Sequence, residues 1–229
     1  MLELIIGNRN YSSWSLRAWL HLRASNIPFT VTRIPLDTDE WHASIGRYSP
    51  ARLVPVLIDG ALAIWDTMAI SEYVLEIHPE AIGWPAGREA RSRARSICAE
   101  MHSGFQAIRD ELPQNIRRRK PLRRDQITDT CRAQLQRVEQ IWSTCRDDYA
   151  DEGPWLFGSL SLADIVFAPV ALRLVTYEIP VADSAASFVS AVQSFEPVIE
   201  WSEAAAAEPE VLSFIDDLRP VADTPLTPG

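Results

Sequence analysis

The stretch Gly7–Arg17 constrains the fold most, because it joins two different kinds of regular structure. The apolar run Leu2–Ile6 before it predicts a buried strand, and the amphipathic run Trp14–Ala24 predicts a helix. Polar residues between them, including Ser12 and Ser13, can cap that helix. A helix that begins directly after a strand presents free N–H groups and a positive dipole end at one spot. The stretch therefore favours a bound thiolate, carboxylate or phosphate. Plain helix capping is the alternative, and it needs only one serine.

The residues up to 78 continue an alternation of strands and helices. Asp59-Gly60 between two short apolar runs is typical of a β-hairpin. Pro55 fits the first residue of a hairpin strand, since it cannot donate to a ladder. Asp66 or Thr67 is expected to cap the next helix. The predicted order is β-α-β-(α)-β-β-α, and the segments after the first helix are strand 28–34, a short helix within 37–48, strands 53–58 and 61–64, and a helix from 68.

The rest of the chain has helical periodicity. Residues 79–87 hold two prolines and two glycines and are interpreted as a linker to an all-α domain, 88–229. Apolar residues from Ala90 to Ile116 recur at three- or four-residue steps, which predicts one long helix bent or interrupted near Pro113. A second long helix is predicted from Ile127 to Cys145.

Gly158–Ile165 contains the signature of a helix start. Ser161 fits the N-cap, and Asp164 fits the third helical position of a capping box. The segment through Leu172 is apolar on all sides, so its helix is expected to run through a core. We therefore interpret Asp164 as a folding residue and not as a catalytic carboxylate.

Composition limits the possible partners. The net charge of −9 argues against general attraction to nucleic acid or acidic membranes, and no apolar run is long enough to cross a bilayer. Three cysteines, Cys98, Cys131 and Cys145, have no metal-ligand spacing and favour buried thiols in a reducing compartment. Met1 leads directly into a strand, so no signal peptide is expected. The sequence predicts a soluble, cytoplasmic protein without a metal.

Taken together, these features resemble a cytosolic-type glutathione transferase. The resemblance rests on the serine-rich first loop, Val54-Pro55 before a hairpin, the acid–hydroxyl pair Asp66-Thr67, and the box that begins at Ser161. It implies an α/β thioredoxin-like N-terminal domain (1–78) followed by an all-α helical C-terminal domain. The motif Ser12-Ser13-Trp14-Ser15 with Arg17 is most similar to the zeta class, although Trp14 stands where that class has cysteine.

The resemblance also implies contacts with glutathione. Val54, before a cis Pro55, would hydrogen-bond the cysteinyl backbone of glutathione. Thr67 would bind the γ-glutamyl carboxylate, and Asp66 would bind the ligand's ammonium group. Ser13, over the start of the first helix, would hydrogen-bond the thiolate and lower the thiol pKa.

Other residues compete for these roles. Ser12 and Tyr11 are rival thiolate ligands, because they adjoin Ser13 and some classes use tyrosine. Arg52 stands where family members usually have glycine. Arg52 or His42 is the candidate for binding the glycyl carboxylate.

The predicted function is a glutathione transferase that attacks an electrophilic small molecule with the glutathione thiolate, an activity typical of detoxification. One alternative is a glutathione-dependent cis–trans isomerase of the maleylacetoacetate isomerase kind. An isomerase would need basic groups for a diacid, for which Arg17 and Arg173 are candidates. A non-catalytic protein that binds glutathione or hydrophobic ligands is another alternative. The resemblance further implies a homodimer.

Overall fold

A computed structural model describes residues 1–218. These residues divide into two compact units, one made of 1–84 and 194–210, the other of 85–193 and 211–218. The regular elements are β1 (Leu2–Ile6), α1 (Ser13–Ala24), β2 (Phe29–Arg33), α2 (Asp39–Tyr48), β3 (Val56–Asp59), β4 (Leu62–Ile64), α3 (Thr67–Ile77), α4 (Arg88–Ser103), α5 (Gln106–Glu111), α6 (Asp129–Tyr149), α7 (Leu162–Tyr177), α8 (Asp183–Ser194), α9 (Glu196–Ala206) and α10 (Ser213–Asp216).

The first unit is built on a four-stranded mixed sheet in the order β2-β1-β3-β4. β1 and β2 are parallel and joined through α1, while β3 pairs antiparallel with both β1 and β4. Gly60, at φ +58, turns the chain between β3 and β4, a conformation that glycine adopts without steric cost. The predicted order of strands and helices is present, and the segment 37–48 holds a ten-residue helix, α2.

One face of this sheet is covered by α2. Ile5, Ile34 and Val56 are fully or almost fully buried, and Trp41 and Tyr48 of α2 pack against them. Helices α1 and α3 pack on each other and on the strands. The sheet is thereby held between helices and forms a fixed support for the loops at its edges.

A buried histidine fastens the end of α1 to residue 82. His21 is fully buried, and its Nε2 lies 2.9 Å from the carbonyl oxygen of Ile82. The hydroxyl of Ser25 accepts from the Ile82 N–H at 3.0 Å. Burial lowers the pKa of His21 from 6.5 to about 4, despite the hydrogen bond to Ile82. The imidazole is therefore neutral in the folded protein near pH 7.

Residues 194–210 pack with the N-terminal unit, although they are distant in sequence. Trp201 of α9 is fully buried, and its ring lies 5.2 Å from that of Trp19 in α1. The sequence places these residues in a C-terminal domain, 88–229, part of which lies outside the described residues. The limits 1–78, 79–87 and 88–229 stay a prediction, and the compact units differ from them at 194–210.

The second unit is helical, but its first long helix breaks earlier than predicted. Helix α4 ends at Ser103, and Phe105 has a left-handed backbone at φ +60 before α5 begins. Helix α5 ends at Glu111, so Pro113 lies after α5 and does not cause the break between α4 and α5. The expected single helix bent near Pro113 is therefore wrong. The second predicted long helix is present as α6.

The capping box at the start of α7 is present. Asp164 accepts from the Ser161 N–H at 2.8 Å, and it also accepts from the Leu156 N–H at 2.8 Å. Burial raises the pKa of Asp164 to about 6, against these hydrogen bonds, which lower it. Nearly every residue of α7 is buried, as the all-apolar pattern predicts. Asp164 thus joins a loop to a helix inside the core of this unit.

Other charged and sulfur-containing groups of the second unit are also buried. Arg173 of α7 donates from Nε to the Leu112 carbonyl at 2.9 Å, and burial lowers its pKa to about 9. Cys98, Cys131 and Cys145 are buried free thiols. Burial raises the pKa of Cys131 to about 12 and that of Cys145 to about 11. Among the described residues, no helix is long and apolar enough to cross a membrane.

The state of His21 generates a prediction about pH. Its pKa is lowered from 6.5 to about 4, so the stability that neutral His21 contributes is present above pH 6.5 and lost as the pH falls through 4. Between pH 7 and pH 5 this group is expected to lower the free energy of unfolding by about 2 kcal/mol. His21→Gln keeps a donor for Ile82 but does not titrate. Between pH 7 and pH 5 its free energy of unfolding should therefore decrease by about 2 kcal/mol less than that of the wild type.

Urea unfolding at the two pH values measures this difference. His42→Gln is the matched control, because the His42 side chain is 64% exposed. It controls for the effect of replacing an imidazole with an amide. Identical pH dependence in wild type and His21→Gln would contradict the assignment.

Candidate functional site

The strand register brings three chain segments to one edge of the sheet. Ile5, near the end of β1, pairs with Val56 at the start of β3. Leu57 in turn pairs with Ile64 at the end of β4. Because β3 runs against its two neighbours, the loop after β1, the segment before β3 and the start of α3 share this edge. We refer to it as the site edge.

The loop after β1 is closed by a serine network at the start of α1. Ser12 is the N-cap, and its hydroxyl accepts from the Ser15 N–H at 3.2 Å. The same hydroxyl donates to the Ser15 Oγ at 2.8 Å, and that oxygen accepts from the Gly7 N–H at 3.1 Å. Of the predicted capping candidates, Ser12 performs this role. Its hydroxyl is engaged within the protein.

The neighbouring candidates lie in different surroundings. Ser13 is the first residue of α1 and is buried. Tyr11 is also buried, and its hydroxyl lies 3.5 Å from the Glu210 carbonyl oxygen, to which it donates. The phenol is thus directed toward the segment 194–210. Ser13 lies where the N-terminal N–H groups of α1 and the positive end of its dipole act together.

Val54-Pro55 occupies the site edge directly before β3. The peptide bond between the two residues is cis, as the resemblance to the family implies. Pro55 is buried, while Val54 is half-buried and packs against the cluster under α2. The backbone of Val54 therefore precedes the first paired residue of β3, next to the loop that carries the serines.

The start of α3 holds an acid–hydroxyl pair. Asp66 is the N-cap and is exposed, and its carboxylate accepts from the Met68 N–H at 3.0 Å. Thr67 is 2% exposed, and its hydroxyl oxygen makes no hydrogen bond within residues 1–218. Buried polar groups are nearly always satisfied, so this hydroxyl needs an explanation. A ligand anion bound at the positive end of α3 would accept a hydrogen bond from this hydroxyl, and a helix N-terminus favours such an anion.

Arg52 and His42, the two candidates for the glycyl carboxylate, lie together beside the site edge. Arg52 has a left-handed backbone at φ +54 and donates from its guanidinium to the His42 carbonyl at 3.0 Å. The His42 imidazole lies 3.6 Å from the Asp37 carboxylate, and both side chains are mostly exposed. The Arg52 and His42 side chains are therefore both exposed to solvent, and Arg52 contacts the backbone of His42.

A cation–π pair follows the serines. The guanidinium carbon of Arg17 lies 4.6 Å from the ring centre of Trp14, and Arg17 is buried. Trp14 thus shields a positive charge at the position where the zeta class has cysteine. Among residues 1–218, no three side chains of His, Cys, Asp or Glu come close enough together to hold a metal ion.

Sequence reasoning missed Glu208, whose carboxylate contacts the loop after β1. It accepts from the Arg9 N–H at 2.9 Å and from the Asn10 N–H at 3.3 Å. Nothing in the residues around position 208 indicates this contact, because Arg9 and Glu208 are 199 positions apart.

The sequence also has detectable relatives. Residues 11–77 match the family described as "Glutathione S-transferase, N-terminal domain". A protein named "Probable maleylacetoacetate isomerase" from Caenorhabditis elegans is 29% identical over 100 residues, which are 44% of this chain and 46% of that protein. One with the same name from Vibrio cholerae is 26% identical over 111 residues, 47% of this chain and 52% of that protein. The chain thus spans about half the length of these curated relatives.

Solved structures share the fold over most of both chains. A glutathione transferase homolog from Burkholderia, with bound glutathione, has a TM-score of 0.68 at 21% identity and covers 89% of this chain and 97% of that one. The holo structure of a maleyl pyruvate isomerase, a bacterial zeta-class glutathione S-transferase, has a TM-score of 0.69 at 19% identity and covers 92% and 100%.

The chain therefore has the two-part fold of a thioredoxin-like domain followed by a helical region, and the predicted fold class is confirmed. Residues 11–77 match the family of glutathione S-transferase N-terminal domains. The resemblance predicted from the sequence is confirmed by this match and by the curated relatives, over the part of the chain that they cover.

The serine network predicts different stabilities for two neighbouring variants. Ser12→Ala removes the N-cap bond to Ser15 and should lower the free energy of unfolding by about 1 kcal/mol. Ser13→Ala leaves this N-cap bond in place and should lower the free energy of unfolding by less than Ser12→Ala does. Urea denaturation at pH 7 measures both variants. A larger loss in Ser13→Ala than in Ser12→Ala would mean that Ser13 caps the helix.

Proposed function

We propose that the protein is a glutathione transferase that activates the glutathione thiol for attack on an electrophilic small molecule. The observation that carries this proposal is the convergence at the site edge of the α1 start, Val54-Pro55 and the α3 start. Two helix N-termini and the backbone segment before β3 match the three chemical parts of an extended tripeptide: a thiolate, a carboxylate and peptide groups.

In this proposal glutathione lies along the site edge in an extended conformation. The backbone of Val54 pairs with its cysteinyl residue, as in β-strand addition. The γ-glutamyl carboxylate accepts from the Thr67 hydroxyl and from the N–H groups that begin α3, and Asp66 binds the ammonium group. Arg52 or His42 binds the glycyl carboxylate. The orphaned hydroxyl of Thr67 supports an anion at this position.

Catalysis then depends on the charge of sulfur. Ser13 donates to the thiolate, and the dipole of α1 stabilises the same negative charge, so the thiol loses its proton more readily. The thiolate forms a carbon–sulfur bond with the electrophile, and the displaced electron pair leaves with the leaving group or adds a proton. Ser13 is a preorganised donor in this step and neither the nucleophile nor the base. Ser12 and Tyr11 remain rival donors; the Ser12 hydroxyl also donates to the Ser15 Oγ, and the Tyr11 hydroxyl donates to the Glu210 carbonyl.

A glutathione-dependent cis–trans isomerase is the second candidate. The names of the C. elegans and V. cholerae relatives support it, as does the likeness to a maleyl pyruvate isomerase. A diacid substrate needs a cation near the thiolate. Arg17 is the better of the two predicted candidates, because it is three residues from Trp14 on the same helix turn and lies against its ring. Arg173 is bound to backbone carbonyls inside the second unit.

The cellular location, oligomeric state, biological role and domain limits of the protein are also proposals. We place the protein in the cytoplasm as a homodimer with a role in detoxification, and we retain 1–78, 79–87 and 88–229 as its domains. A carrier of glutathione or hydrophobic ligands is the non-catalytic alternative. Such a carrier would bind glutathione without enhancing its reactivity, so rate measurements distinguish the two.

The role of Ser13 generates a kinetic prediction. Ser13→Ala should lower kcat for conjugation of a nitro-activated aryl chloride by about two to three orders of magnitude, since it removes the hydroxyl that donates to the negative charge on the glutathione sulfur. The dissociation constant of glutathione should change little, because its backbone and carboxylate contacts remain. Steady-state kinetics and isothermal titration measure the two quantities. A silent Ser13→Ala together with an inactive, folded Ser12→Ala would move the role to Ser12.

The role of Thr67 generates a binding prediction. Thr67→Val keeps the shape of the side chain and removes its hydroxyl, so the dissociation constant of glutathione should rise about 10- to 100-fold. Thr67→Ser keeps the hydroxyl and is the matched control, which should bind within a few-fold of the wild type. Unchanged affinity in Thr67→Val would remove Thr67 from the proposed carboxylate site.

A further inference from the structure

The loop after β1 receives support from a distant, buried carboxylate. The Glu208 side chain is 5% exposed, and one oxygen accepts from the Arg9 N–H at 2.9 Å. The other oxygen accepts from the Asn10 N–H at 3.3 Å. Both amides belong to the loop that ends at the N-cap Ser12. One carboxylate therefore binds two successive amides directly before the residues proposed to contact sulfur.

The charge of this carboxylate is balanced within the same unit. The guanidinium of Arg9 lies 3.4 Å from Glu208, and that of Arg33 lies 3.7 Å from it. Arg33 also lies 2.8 Å from the Glu210 carboxylate. The Glu208 carboxylate is therefore surrounded by two backbone N–H donors and two guanidinium groups, so both its lone pairs and its charge have partners.

A tryptophan holds the same loop from the same segment. The indole N–H of Trp201 donates to the Arg9 carbonyl at 3.0 Å, and the Arg9 guanidinium lies 5.7 Å from the Trp201 ring centre. Trp201 is itself fixed by its contact with Trp19 of α1. The backbone of Arg9 is therefore bound at its N–H by Glu208 and at its carbonyl by Trp201.

The remaining amides of the loop are bound locally. Tyr11 and Ser12 donate to the Asn8 carbonyl at 3.3 and 2.8 Å, and the Asn8 side chain accepts from the Leu36 N–H at 2.8 Å. This local turn fixes the end of the loop, and the contacts from residues 201 and 208 fix its middle. The two sets together determine where the first turn of α1 presents its N–H groups.

We propose that Glu208, assisted by Trp201, is a positioning residue that holds the loop 7–12 in the geometry required for the Ser13 hydroxyl and the α1 start to bind the glutathione thiolate. This inference rests on the proposed function. It adds a residue outside the N-terminal α/β segment to the machinery of thiol activation. Glu208 does not touch glutathione in this proposal and acts through the loop backbone.

Three variants separate this role from a general contribution to folding. Glu208→Gln is nearly isosteric, but its amide offers only one acceptor oxygen and turns a donor toward one of the two loop amides. Trp201→Phe keeps an aromatic ring against Trp19 and removes the N–H donor to Arg9. Glu200→Gln is the control: Glu200 lies next to Trp201 on α9, and its exposed carboxylate pairs with Arg23 of α1 and not with the loop.

Two readouts are needed. Hydrogen exchange of the peptide 8–12 in the ligand-free protein reports on the loop itself. Steady-state kinetics with glutathione and a nitro-activated aryl chloride report on catalysis. We expect faster exchange and a kcat lowered by about one to two orders of magnitude in Glu208→Gln, with KM for glutathione little changed. Trp201→Phe should show smaller changes in the same direction, and Glu200→Gln should match the wild type.

The outcomes that overturn the inference are distinct. If hydrogen exchange of residues 8–12 is unchanged in both Glu208→Gln and Trp201→Phe, these contacts do not hold the loop. Faster exchange with unchanged kcat would make Glu208 a structural residue only. A wild-type protein that neither binds nor activates glutathione would overturn the proposed function, and the catalytic part of this inference with it. If Glu208→Gln fails to fold, Trp201→Phe decides by the same two readouts.

Discussion

The backbone N–H groups between β1 and α1 must find acceptors where water is largely excluded, and the first unit is arranged around this requirement. An unpaired buried amide costs about 1–3 kcal/mol. Ser15 accepts from Gly7, the Asn8 carbonyl accepts from two amides at the end of the loop, and Glu208 accepts from two in its middle. These hydrogen bonds hold a short polar loop between β1 and α1. The proposed chemistry at the start of α1 depends on the geometry of this loop.

The antiparallel course of β3 gives this rigid loop its neighbours. It brings the N-termini of α1 and α3 to the same edge of the sheet, with Val54-Pro55 beside them. Each N-terminus favours a negative group by about 0.3–1 kcal/mol at an exposed site and by more where burial reduces screening. In the proposed function, an acidic protein of net charge −9 binds an anionic tripeptide mainly through these two N-termini and the backbone before β3. The Thr67 hydroxyl and one side chain, Arg52 or His42, would add to that recognition.

Local features of the fold could be predicted from the sequence, whereas long-range ones could not. Asp59-Gly60 determines its turn and Ser161 with Asp164 determines a helix start, because the interacting groups are close in sequence. The helix break came at Gly104–Phe105 and not at Pro113, since periodicity alone did not reveal the left-handed residue that ends α4. Ser12 and Ser13 are both possible caps by sequence, and only the folded structure shows that the Ser12 hydroxyl is the one that reaches Ser15. Glu208 has no local signature, because its partners lie at the opposite end of the chain.

The central claim is that this edge activates the thiol of glutathione, and the ultraviolet difference spectrum of bound glutathione against pH tests it most directly. Wild type should show a thiolate band that titrates well below the pKa of the free thiol, and Ser13→Ala should shift that titration upward. Binding without a lowered thiol pKa in the wild type would contradict the account and leave a protein that holds glutathione without activating it.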